Sequence, residues 1–156
     1  MGGQAIAEAL KENSSLEMLD LDRNDINDVG AQAIAEALRI NTALKRLHLG
    51  NNKIGIEGSQ AIAQAIQVNS SIQELNLYAN KMGAEGGQAI ADALQMNSSL
   101  NTLNIGFNRI GTTVLEAIVG AAQLNPALSY VRRRIPALQS PKALARPRSG
   151  RNKTFS

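Results

Sequence analysis

Residues 44–54 read LKRLHLGNNKI, and this motif indicates the architecture of the chain. Leu47 and Leu49 alternate with polar residues, and this period of two predicts a short strand that has its leucines on one side. The pattern recurs every 28 residues, as LEMLDLDRNDI at 16–26, IQELNLYANKM at 72–82 and LNTLNIGFNRI at 100–110. A fixed period in this range predicts stacked copies of one supersecondary unit.

The residues ahead of each strand predict a helix. In the first copy Ile6, Ala9 and Leu10 recur at i, i+3 and i+4, which places them on one helix face. We interpret the glycine pairs Gly2-Gly3 and Gly86-Gly87, which open helices, as turn residues. A fifth helix is predicted from Glu116 to about Leu124, where it would cover the previous copy with Ile118 and Ala121.

Two asparagine positions recur along the chain. The first follows each helix, and because asparagine tolerates the left-handed backbone conformation, we interpret it as a helix stop. The second follows each strand, where we expect it to turn inward and bond backbone groups of the following turn, since a buried amide must find partners. The first series is Asn13, Asn41, Asn69, Asn97 and Asn125, and the second is Asn24, Asn52, Asn80 and Asn108.

With its motif L-x-x-L-x-L-x-x-N in strict register, the chain resembles leucine-rich repeat proteins. The resemblance covers residues 2–113 fully and 114–131 in part. It implies an α/β solenoid, a short horseshoe arc with a concave parallel β-sheet and convex α-helices. The repeat length is similar to the ribonuclease-inhibitor-like subclass, which includes the sensor domains of NOD-like receptors and Ran GTPase-activating proteins. The family binds proteins, usually on the concave face or its rim.

Charge divides the chain into two parts. Residues 1–131 hold eight basic and thirteen acidic side chains, whereas residues 132–156 hold eight basic and no acidic ones. We therefore predict a leucine-rich repeat domain at 1–131, with about four and a half copies starting at 2, 30, 58, 86 and 114, and a basic disordered tail at 132–156. Both ends lack a typical capping repeat, so we expect a fragment of a longer array or a chain that leaves the repeat near Tyr130.

The residues between the strand leucines form the candidate binding surface. They vary from copy to copy while the framework hardly changes, and this contrast favours recognition on the concave face. Tyr78 and Phe107 are expected to be anchors there, because exposed aromatics are favoured in interfaces; scattered surface aromatics are the alternative. The candidate protein-binding residues are Arg46, His48, Glu74, Asn76, Tyr78, Thr102, Asn104 and Phe107.

Charged positions suggest two smaller features on this surface. Asp20 and Asp22 form either an acidic spot or a solvated strand face. Lys53, Lys81 and Arg109 align just after the framework asparagine and would form a basic rim, which the equivalent Asp25 breaks. The rim indicates either an anionic partner or simple solubility.

Catalytic and cofactor motifs do not emerge from the sequence. There is no cysteine, and no G-x-x-x-x-G-K-[ST] loop occurs. His48 is the single histidine; a metal site with Asp20 and Asp22 would be accidental, and we interpret His48 as a solvent-facing residue. We therefore expect neither catalysis nor a cofactor or small-molecule substrate. No apolar run approaches the ~18 residues of a membrane span, and no secretory signal is visible, so we expect a cytoplasmic protein, with a nuclear location as the alternative.

The functional prediction is a protein-protein interaction module of a larger intracellular receptor or scaffold. Two alternatives remain open. The tail 132–156 could bind nucleic acid or an acidic membrane surface through phosphate contacts, or serve as a nuclear import signal. The resemblance also allows a GTPase-activating regulator of the Ran type.

Overall fold

The computed structural model describes residues 2–125, 127–128 and 130–132. Over this part of the chain, helices and strands alternate. The helices are α1 (Gly2–Glu12), α2 (Asp28–Leu38), α3 (Ile56–Val68), α4 (Gly83–Met96) and α5 (Gly111–Leu124). The strands are β1 (Met18–Asp20), β2 (Arg46–His48), β3 (Glu74–Asn76), β4 (Thr102–Asn104) and β5 (Tyr130–Arg132).

The strands form one parallel sheet in chain order, β1-β2-β3-β4-β5. Leu47 lies opposite Leu19 on one side and Leu75 on the other, so residues that pair across neighbouring strands hold equivalent positions in consecutive copies. The helices pack against one another in the same order. The predicted α/β leucine-rich repeat solenoid is therefore confirmed.

The core lies between the sheet and the helices and is aliphatic. In the second copy, Leu44, Leu47 and Leu49 from the strand segment are fully buried, as are Ile34 and Leu38 from the helix. The same positions are buried in the third and fourth copies. Each copy thus buries its apolar positions against its neighbours, as stacked repeats require.

The fifth helix begins earlier than predicted. Helix α5 begins at Gly111, five residues before Glu116. Its first turn, with Thr112 exposed, has no apolar periodicity to reveal it. The prediction that Ile118 and Ala121 are its buried residues is confirmed.

Asp28, in the first turn of α2, caps the start of the next helix. Its Oδ1 accepts from Gly55 N at 2.6 Å and from Gly58 N at 2.9 Å. A carboxylate at a helix N-terminus accepts hydrogen bonds from the unpaired N–H groups of the first turn. Its negative charge also interacts favourably with the helix dipole. This contact joins the α2 and α3 segments of neighbouring copies.

The interpretation of the glycines as turn residues is wrong for Gly86 and Gly87. Both lie inside α4, and so does Gly58 inside α3. A Cβ on Gly86 would lie 2.9 Å from Ser59 Cβ, and one on Gly58 would lie 2.9 Å from Ala31 Cβ. These glycines let neighbouring helices approach closely. The sequence pattern alone does not distinguish a glycine in this role from a glycine in a turn.

We predict that Gly58→Ala lowers the free energy of unfolding by about 1–2 kcal/mol, because the added methyl would sit 2.6 Å from Asp28 Oδ1 and force the helices apart. Gly120→Ala is the matched control in α5, where no atom of the described residues outside the helix's own backbone lies within 4 Å of the added Cβ. That change should stabilise the protein by about 0.5–1 kcal/mol through helix propensity. Urea unfolding of both variants checks the prediction, and a loss of similar size in both would contradict it.

The asparagines after the helices act differently from the predicted left-handed stop. Asn69 has φ −75° and ψ 128°, an extended conformation, and Asn97 is similar. The Nδ2 of Asn69 donates to Leu38 O at 2.7 Å and Asn41 O at 3.0 Å, in the preceding copy. Its Oδ1 accepts from Ser71 N and Ile72 N. The left-handed prediction is therefore wrong, and the residue joins consecutive copies.

The asparagines after the strands turn inward, as predicted. Asn52 Nδ2 donates to Leu21 O at 2.9 Å, and its Oδ1 accepts from Asn24 N at 3.0 Å and Ile26 N at 2.9 Å. These partners belong to the turn of the preceding copy, whereas we predicted the following turn.

Strand β5 pairs in parallel with β4 and includes Arg132. The predicted domain end at 131 stays a prediction. The rest of the predicted tail lies outside the described residues. No helix within the described residues is long and apolar enough to cross a membrane.

Candidate functional site

The candidate residues lie on the side of the sheet opposite the helices, which we call the open sheet face. It consists of the alternate, non-leucine positions of β1–β4 and the turns that follow these strands. Glu74 lies between Arg46 and Thr102 in the strand register, and Asn76 lies between His48 and Asn104. The predicted columns are therefore present, flanked by buried leucines.

Tyr78 and Phe107 make direct contact on this face. Their ring centroids are 5.2 Å apart and their planes are inclined by 62°, which is an edge-to-face arrangement. Phe107 remains 53% exposed, and Tyr78 is half-buried. The sequence predicted both residues on this face, and the structure joins them into one aromatic patch.

The position of Phe107 depends on a left-handed backbone that sequence reasoning missed. Phe107 has φ 59°, and the equivalent Arg23, Asn51 and Ala79 have φ of 62°, 52° and 53°. Residues other than glycine rarely adopt this conformation, and asparagine is among those that adopt it most readily. Asn51 was therefore the available signal for it. The shared turn holds each loop residue in the same place relative to its strand.

His48 lies between two carboxylates. Its Nε2 is 3.1 Å from Glu74 Oε1 and its Nδ1 is 3.9 Å from Asp20 Oδ2. The side chain is 20% exposed, so His48 faces solvent only in part. Among the described residues, no group of three or more His, Cys, Asp or Glu is placed to hold a metal ion.

The carboxylate of Asp22 accepts hydrogen bonds within the fold, a role that differs from the acidic spot and the metal partner considered above. Its carboxylate accepts from Gly50 N at 2.5 Å and from Asn76 Nδ2 at 3.2 Å, 54 residues away in sequence. A Cβ on Gly50 would lie 3.0 Å from both Asp22 Oδ1 and Asn76 Nδ2. Glycine at this position therefore leaves room for a bridge across three copies.

Some candidate positions also serve the fold. Asn76 Oδ1 accepts from Tyr78 N at 3.1 Å, and Asn104 Oδ1 accepts from Gly106 N at 3.4 Å. Asp20 Oδ1 likewise accepts from Asp22 N at 3.0 Å. These side chains stabilise the turn after each strand. The internal variation that suggested recognition is thus partly explained by interchangeable Asp and Asn at a turn.

The basic rim is interrupted. Lys53 Nζ pairs with Asp25 Oδ1 at 2.9 Å, so Asp25 neutralises its neighbour in the rim. Arg109 has φ 56°, a left-handed backbone that Lys53 and Lys81 do not share. The three cations therefore do not repeat one backbone geometry.

The chain belongs to the leucine-rich repeat family. The family model described as Leucine Rich repeat matches residues 12–35, 41–63, 68–91 and 97–119. Curated proteins gave no match to the chain.

Two solved structures are similar to this one. The C-terminal domain of tropomodulin from Caenorhabditis elegans has a TM-score of 0.78 at 16% identity, covering 92% of this chain and 87% of that one. Actin-binding site 2 of leiomodin-1 has a TM-score of 0.77 at 25% identity, covering 83% of this chain and 78% of that one. Both share the repeat fold; the predicted ribonuclease-inhibitor-like subclass stays a prediction.

Proposed function

We propose that the chain is a non-enzymatic protein-interaction module whose partner binds the open sheet face. The observation that carries this proposal is the Tyr78–Phe107 pair, with centroids 5.2 Å apart. Aromatic side chains that remain accessible on a well-ordered surface are the usual anchors of protein interfaces. The partner would bury the exposed part of Phe107 and the accessible edge of Tyr78.

The surface around the pair is held in place before binding. Tyr78 N donates to Asn76 Oδ1 at 3.1 Å, and Ala79 N donates to Gly106 O at 2.8 Å. The backbone on which both rings stand is therefore fixed by hydrogen bonds within and between neighbouring copies. A preformed face loses little conformational entropy on binding, which favours affinity.

Polar and charged groups share the open sheet face with the aromatic pair, and could form the rim of an interface. Arg46 is exposed, and no acidic side chain in the described residues forms an ion pair with it. Glu74 remains 38% exposed beside His48. These groups would select a partner by charge while the aromatic pair supplies most of the binding energy.

Actin is the first partner to test. The support is the similarity to actin-binding site 2 of leiomodin-1, over 83% of this chain. Other protein partners fit the same face. A cytoplasmic location, with a nuclear one as alternative, is part of this proposal. The GTPase-activating alternative and the nucleic-acid or membrane role of residues 132–156 stay predictions.

The experiment has two arms. Binding of the purified chain to monomeric actin is measured by titration, and immobilised chain is used in parallel to capture proteins from cell extract. A saturable interaction that Tyr78→Ala/Phe107→Ala weakens supports the proposal. An interaction that this variant leaves intact but that vanishes at high salt or on deletion of residues 132–156 would favour the tail instead.

A further inference from the structure

The ends of the helices carry an exposed apolar column. The residue directly before the helix-following asparagine is large and apolar in copies two to five, where it is Ile40, Val68, Met96 and Leu124. The exposed fractions of these residues are 61%, 59%, 69% and 81%. Single exposed apolar residues are ordinary, but equivalent positions in four consecutive copies form one surface. We call these four residues the helix-end stripe.

The backbone under the helix-end stripe is held in place. The asparagines that follow Val68 and Met96 are buried, and each donates through its Nδ2 to backbone carbonyls of the preceding copy. Met96 Sδ also accepts from Gln67 Nε2 at 3.0 Å, so the side chains of neighbouring helix ends touch. The spacing between stripe residues is therefore set by the packing of each helix on the next.

The surroundings of the stripe are almost uncharged. In copies three to five, the three residues on either side of the stripe position include no charged side chain. In the second copy Arg39 lies beside Ile40, and in the fourth copy Asp92 lies one helical turn before Met96. A phosphate-rich surface would meet few cations there, so the stripe fits another uncharged, apolar protein surface.

We propose that the helix-end stripe is covered by the same stripe of a second copy of this chain, in an antiparallel dimer with two-fold symmetry. In this arrangement Val68 faces the second copy's Met96, and Ile40 faces the second copy's Leu124. The same helix packing sets the spacing in both copies, so all four contacts form together in a self-complementary interface. The proposal is independent of partner binding on the open sheet face.

Charges favour the antiparallel arrangement over a parallel one. Glu12 occupies the stripe position of the first copy. A parallel pairing would place Glu12 against its own equivalent, whereas the antiparallel pairing puts the two glutamates at opposite ends of the interface. Beside the stripe, Arg39 then lies opposite Gln123. Asp92 lies opposite Gln64, so no like charges meet.

The size of the stripe sets the expected affinity. Four anchors from each copy place the contact near the lower limit of specific interfaces, at roughly 1,000 Å² of buried surface in total. We therefore expect a weak, reversible dimer with a Kd on the order of 100 µM. At low micromolar concentrations the chain is then monomeric, so partner binding to the open sheet face is measured separately from dimerisation.

Sedimentation velocity of the full chain, from about 5 to about 500 µM and at low and high salt, measures the association. We expect Val68→Glu/Met96→Glu to weaken the dimer by at least about 100-fold, because it places four carboxylates inside an apolar contact. Both positions are exposed, and Glu12 shows that the repeat accommodates glutamate there.

The matched control is Val29→Glu in the first turn of α2. Val29 is 53% exposed and lies at the opposite end of the helix from the stripe. Its equivalents in the next two copies are Glu57 and Glu85, so the repeat accommodates this change too. We expect the control to leave the Kd of the dimer within a factor of about two of wild type.

Cysteines test the register, because the chain has none of its own. Ile40→Cys and Leu124→Cys are mixed in a glutathione redox buffer, and each is also incubated alone. The antiparallel dimer brings these two positions together, so we expect at least about five times more disulfide dimer in the mixture than in either single sample. Equal yields would overturn the antiparallel arrangement.

Three outcomes of the sedimentation experiment would overturn the proposal. A chain that stays monomeric up to about 500 µM would leave the stripe to a different apolar partner. A dimer that Val68→Glu/Met96→Glu leaves intact would place the contact elsewhere on the chain. A dimer that dissociates at high salt would indicate an ionic contact with the basic residues 132–156, since an apolar contact is not screened.

Discussion

Asn52→Leu is expected to lower the free energy of unfolding by about 3–5 kcal/mol. Asn52 makes five hydrogen bonds to backbone groups, among them Ile26 N at 2.9 Å and Leu21 O at 2.9 Å. Leucine has a similar volume but no polar atoms, so several of these groups would become buried and unpaired. Each such group costs about 1–3 kcal/mol.

The chain offers a matched control in Asn24→Leu. Asn24 has the same place in the motif but is exposed, and its side chain makes one bond, to Asp22 O. The loss there should stay below about 1 kcal/mol. Urea unfolding followed by circular dichroism measures both variants. Equal losses for Asn52→Leu and Asn24→Leu would show that the asparagine contacts between copies do not stabilise the solenoid.

The double variant Tyr78→Ala/Phe107→Ala is expected to weaken partner binding by about 100-fold. The two rings pack edge to face, and truncating both removes the aromatic patch together with its apolar area. Phe107 is 53% exposed, so its loss should leave the core intact. The affinity is measured for actin or for the partner captured from extract, whichever binds.

A control variant on the opposite side of the molecule is Gln64→Ala/Gln67→Ala. Both glutamines lie on α3 and line a shallow groove next to α4. They are exposed, so folding should be unaffected. Binding within a factor of about two of wild type is expected. A comparable loss in this control would place the interface on the helices and contradict the assignment to the open sheet face.

Much of the fold follows from periodicity. The 28-residue spacing fixes which leucines stack, and the observed register of Leu19, Leu47, Leu75 and Leu103 agrees with it. Helix starts do not follow, because the first residues of the helices are exposed and carry no apolar pattern, as at Val29 of α2, Glu57 of α3 and Thr112 of α5. The role of Gly58 and Gly86 was also hidden, since a glycine at a close helix contact and a glycine in a turn look alike in sequence.

The candidate site was predictable as a set of positions but not as a set of contacts. The columns containing Arg46, His48 and Glu74 follow from strand alternation. The contact between Tyr78 and Phe107 depends on a left-handed backbone at Phe107, and that conformation has no strong signal in its residue type. The bridge from Asp22 to Asn76 skips one copy, so it depends on side-chain geometry over Gly50 that the repeat period does not encode.

Site-specific photo-crosslinking can show whether a partner binds the open sheet face or the helices. A photoreactive phenylalanine analogue is placed at position 107 on the open sheet face or at position 64 on α3, and each protein is irradiated in cell extract or with actin. We expect a discrete crosslinked partner from position 107 and none from position 64. Crosslinking from position 64 alone, or equally from both, would contradict binding on the open sheet face.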